Sequence, residues 1–118
     1  MTVNITPATE SEKTVLGALL LDGPLYNIVN TMLCPADFNE PAHQEIYAAI
    51  TDLFKKHGCF DMAMLVDEMP AMQELLYQLA NECVSTANVK AHAEIIREKS
   101  VQFQLVKVAQ EIAEAATQ

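Results

Sequence analysis

The stretch Asn88–Ala116, NVKAHAEIIREKSVQFQLVKVAQEIAEAA, contains neither glycine nor proline. Nothing in it interrupts a helix, and Ala, Glu, Lys, Leu and Gln supply strong helix formers. Two apolar patterns run along it. Val89, Ala93 and Ile96 recur at helical spacing and are expected to face the body of a domain. Val101, Leu105, Val108, Ile112 and Ala115 follow the 4-3-4-3 spacing of a coiled-coil seam. A neighbouring stripe of Val106, Ala109, Ala113 and Ala116 widens that face. The end of this helix is therefore apolar on more sides than one small domain covers, and such a helix takes a second helix, from the same chain or another. The alternative for the stripe is ordinary packing on the domain's own core.

Towards the N-terminus the chain is punctuated as a series of shorter helices. Thr6-Pro7 offers an N-cap followed by proline, and Thr9 with Glu12 offers a capping box. Either start leads into the face Val15, Leu16, Leu19 and Leu20. Asp22-Gly23-Pro24 ends that helix and opens a second through Leu25, Ile28, Val29 and Met32. After the turn Cys34–Asn39, Asn39 is placed to cap a third helix carrying Ile46, Ile50, Leu53 and Phe54, with Gly58 at its C-cap. Asp61 caps a fourth through Met64, Leu65 and Met69, and a fifth follows Pro70 through Met72, Leu75, Leu76 and Leu79. No segment alternates with period two long enough for a strand. The expected fold is all-α: a compact orthogonal bundle of about five short helices plus a longer C-terminal one. The globular part is expected over about 6–96, and the start of a helical hairpin over about 97–118.

Composition limits function. One domain of 118 residues has room for a single core. Seven basic residues against 16 acidic ones give a net charge of -9, which disfavours a phosphate-binding surface and suits a basic protein partner. Cys34, Cys59 and Cys83 are scattered and odd in number, as in a reducing compartment. Met1-Thr2-Val3-Asn4 shows neither the basic nor the apolar region of a secretory leader, and no apolar run approaches the ~20 residues of a membrane span. The expected location is the cytoplasm.

Constellations with chemical potential are few. Gly17, Gly23 and Gly58 lie too far apart for a phosphate-binding loop, so this chain is not expected to hydrolyse nucleotides. Glu40-Pro41-Ala42-His43 has the Glu-x-x-His spacing of di-iron bundles, but a second copy is missing, and a first-turn glutamate favoured by the helix dipole accounts for it. His57-Gly58-Cys59 suggests a zinc half-site without Cys-x-x-Cys partners; a helix C-terminus with Cys59 as a small buried hydrophobe fits better. Glu94, Arg97, Glu98 and Lys99 read as a solvated face, and the cluster Met62, Met64, Met69 and Met72 as core filling. No catalytic, cofactor or metal site is expected.

The order of motifs resembles one family. Glu10-x-Glu12-x-x-Val15-Leu16-Gly17 is similar to the opening of the N-terminal domain of DnaB-type replicative DNA helicases. Pro35-x-Asp37-Phe38 resembles its turn, His43-Gln44-Glu45-Ile46-Tyr47 its next helix, and Gly58-x-x-Asp61 with Leu65 the segment after it. Thr86-Ala87-Asn88-Val89 through Ile95–Ser100, and Ala109-x-x-Ile112-Ala113, complete the series. The similarity runs from about Glu10 to Ala116. Two departures stand out: Ala8 replaces a usual serine, and a Gly-Gly loop before the fifth helix is missing.

The resemblance implies an oligomerisation and primase-binding scaffold without catalysis of its own. Such domains pair through helical hairpins and form a collar on a hexameric motor, which receives a DnaG-type primase. The chain stops where the hairpin would turn back, so ATP and magnesium are expected only in a motor domain outside it. The implied partners are further copies of itself and the primase, with no direct contact to nucleic acid or membrane. The seam Val101, Leu105, Val108, Ile112 and Ala115 is the expected pairing surface, and Glu10 and Glu12 the first candidates to face the primase. Two other readings are a stand-alone helical adaptor or inhibitor that mimics the collar, and a small helical metalloprotein.

Overall fold

A computed structural model describes residues 5–117; Met1–Asn4, read above for the absence of a leader, and Gln118 lie outside the described residues. Six α-helices and three 3₁₀ turns are found, with no strand among the described residues. The helices are α1 (Thr9–Leu21), α2 (Tyr26–Val29), α3 (Pro41–His57), α4 (Met62–Glu68), α5 (Gln73–Glu82) and α6 (Val89–Ala116). The all-α expectation holds.

Helix α1 is the centre of the body. Val15, Leu16, Ala18 and Leu19 are completely buried, against Ile46 and Ile50 of α3, Leu76 and Leu79 of α5, and Ala93 and Ile96 of α6 within one apolar core. Gly17 lets α1 approach α5 closely. A Cβ there would lie 2.5 Å from the Leu79 carbonyl oxygen and 2.7 Å from the Cys83 Cβ, separations no side chain tolerates. Tyr26 stacks on Phe54 with ring centroids 4.4 Å apart, and Phe38 packs on Tyr47 at 5.0 Å. Tyr47 is buried, which raises its phenol above the ordinary range, and its hydroxyl donates to the Leu33 carbonyl at 3.1 Å.

Local signals behave unevenly. Gly58 ends α3 in the left-handed conformation at φ 72, as its C-cap position requires. Asp61 caps α4, its carboxylate accepting the Met64 amide at 2.8 Å. Met62, Met64, Met69 and Met72 pack against the core. Other expectations need correction. Helix α1 begins after Ala8 with no side-chain cap; neither Thr6 nor the Thr9–Glu12 box serves it, because the Glu12 carboxylate is drawn elsewhere. The second helix is cut to a 3₁₀ turn, Gly23–Leu25, followed by the single turn of α2, and Ile28 stays exposed. Glu40, not Asn39, is the N-cap residue of α3. Another 3₁₀ turn, Pro70–Met72, precedes α5, and Cys59 is exposed rather than buried.

Candidate functional site

Helix α6 is 28 residues long, about 42 Å at 1.5 Å per residue. The molecule measures 52 × 26 × 26 Å, so this helix sets its long axis. Its first half is part of the body. Val89, Ala93, Ile96 and Ser100 are buried, and contact continues to Ser100, one turn past the expected end of the globular part at 96. Three polar contacts join this half to other elements. Ser11 Oγ on α1 lies 3.0 Å from His92 Nδ1. Arg97 and Ser100 both donate to Asp37 Oδ1 at 2.7 Å.

Asp37 is the anchor. It sits in the 3₁₀ turn Pro35–Asp37, and its other oxygen accepts the Cys34 amide at 2.8 Å. Burial alone would push its pKa up. The Cys34, Ser100 and Arg97 hydrogen bonds and the guanidinium charge outweigh that and hold the carboxyl below its ordinary value. Arg97 is thus no merely solvated residue. The motif Pro35-x-Asp37-Phe38 was visible in the sequence; that Asp37 serves residues 60 and 63 positions away was not.

Beyond Ser100 the helix leaves the body. Val101, Leu105, Val108 and Ile112 are 37%, 65%, 51% and 65% exposed, and Ala115 is exposed as well. Packing on the domain's own core, the alternative reading of this stripe, is overturned: the seam residues lie in line on a free helix. Phe103 and Val106, on another side of the helix, are half-buried.

The two glutamates of the opening motif separate. Glu10 is an exposed side chain, 3.6 Å from Lys13 Nζ. Glu12 is 1% exposed. Its carboxylate accepts the Asn39 amide at 2.8 Å and the Glu40 amide at 3.4 Å, and lies 2.8 Å from His43 Nδ1. Glu12 therefore holds the backbone that leads into α3 from a different helix, accepting the amides of Asn39 and of the N-cap residue Glu40. As a candidate to face a partner it is withdrawn, since a buried carboxylate with three ligands has no surface to offer. The same contact gives His43 a buried partner on α1. Among the described residues no three His, Cys, Asp or Glu side chains are grouped to hold a metal ion, and no helix is long and apolar enough to cross a membrane.

The geometry defines a class first: an all-helical body that carries an apolar stripe on the exposed half of its longest helix. Comparison with known proteins supplies the family. Residues 6–98 match the family described as DnaB-like helicase N terminal domain, and the chain belongs to it. It is 33% identical over 113 residues to the replicative DNA helicase DnaB of Geobacillus stearothermophilus, covering 89% of this chain and 25% of that protein. The chain thus spans about a quarter of the length of the curated relatives it matches. Among solved structures it resembles the N-terminal domain of DnaB helicase from Mycobacterium tuberculosis, with TM-score 0.85 and 27% identity, over 92% of this chain and 84% of that one. The fold also matches the N-terminal domain of DnaB helicase from Helicobacter pylori, a structure reported with its interactions with primase: TM-score 0.83 and 23% identity, over 94% and 93% of the two chains.

Proposed function

We propose that this domain works as the collar of a hexameric replicative DNA helicase, pairing with other copies through α6 and receiving a DnaG-type primase on its surface. The observation that carries the reading is the exposed heptad stripe Val101, Leu105, Val108, Ile112 and Ala115 on the free half of α6, in a member of this family. Unwinding, with its ATP and magnesium, belongs to a motor domain outside this chain. DNA contact does too, because a net charge of -9 repels phosphates. The working compartment is the cytoplasm.

Self-association is tested by sedimentation across a concentration series. The native chain is expected to form a modest dimer, and Leu105→Glu to abolish it, because pairing would bury an uncompensated charge. A monomer at every concentration, unchanged by Leu105→Glu, rejects the pairing surface. Primase binding is tested by calorimetry with the cognate primase's C-terminal region, with Glu10→Gln as the variant. A contact role predicts weaker binding at unchanged melting, and a loss that shrinks as salt rises. No heat at high concentration with the assembled domain rejects the partner.

A further inference from the structure

We draw no further inference here: the strongest candidate, the groove between α3 and the end of α4 lined by Ala48, Ala49 and Met69 with Glu45, Asp52 and Lys56 beside them, carries charges of both signs, and nothing in the structure shows what covers it.

Discussion

Val89–Ser100 and Val101–Ala116 belong to one uninterrupted helix, yet they live in different environments. Both halves carry apolar residues at intervals of three and four. In the first half those residues are Val89, Ala93 and Ile96, all buried against α1 and its neighbours. In the second half they are Val101, Leu105, Val108 and Ile112, all facing water. Helical periodicity reports that a face is apolar; it does not report what covers it. Only the geometry of the other elements, which bury this helix fully as far as Ser100, separates a core stripe from an exposed one.

The comparison can be broken most directly by truncating one residue in each half. Ile96→Ala removes a side chain that is 1% exposed and should cost about 2–5 kcal/mol, read as a lower denaturation midpoint. Leu105→Ala, measured below the concentration of association, should change the midpoint by no more than about 0.5 kcal/mol. Comparable losses would mean that the free half is packed in solution.

The joint between the halves comes next in size. Asp37→Asn keeps the shape but removes the charge that Arg97 and Ser100 address, and should cost about 1–3 kcal/mol, less than a fully buried pair because Arg97 is half exposed. The sign of its pH dependence follows from the lowered Asp37 pKa. That contribution is complete above the ordinary carboxylate range and is lost as pH falls through the depressed folded-state value. Acid titration of stability in Asp37→Asn should therefore be shallower than in the native chain. An unchanged acid slope would show that the anchor is not electrostatic.

The opening glutamates give the smallest and sharpest contrast. Glu12→Gln substitutes an amide for a carboxylate that accepts two backbone amides and meets His43, and should cost about 1–2 kcal/mol in thermal unfolding. Glu10→Gln should be nearly silent in the same scan, within about 0.5 kcal/mol. Equal effects would contradict the division between a structural and a surface acid.

That division also shows what was legible beforehand. The helices announced by strong caps and long periodic faces were readable: Gly58 and Asp61 delimit α3 and α4, and the faces Val15–Leu19 and Ile46–Leu53 are core. Helix α2 was overestimated, because the periodicity of Leu25, Ile28, Val29 and Met32 carries no information on whether the 3₁₀ turn at Pro24 will relax into a full helix. The roles of Glu12 and Asp37 were hidden for a different reason. An acid in a first turn is adequately explained by the helix dipole, and the partners that in fact hold it stand 27 to 31 positions away for Glu12. Local pattern cannot see a contact supplied by another helix. The heptad spacing from Val101 to Ala115 was visible in the sequence, while its exposure was not, because spacing carries no information on what lies alongside.

The Asp37 contact has a mechanical meaning. From Ser100 to Ala116 the helix is a cantilever of roughly 24 Å, clamped at one end. A rotation of about 10° at the clamp moves its tip by about 4 Å over that length, close to half the spacing of two packed helices. The position of whatever is bound near Ile112 therefore depends on the stiffness of the root, where Asp37 holds Arg97 and Ser100 just past the buried Ile96.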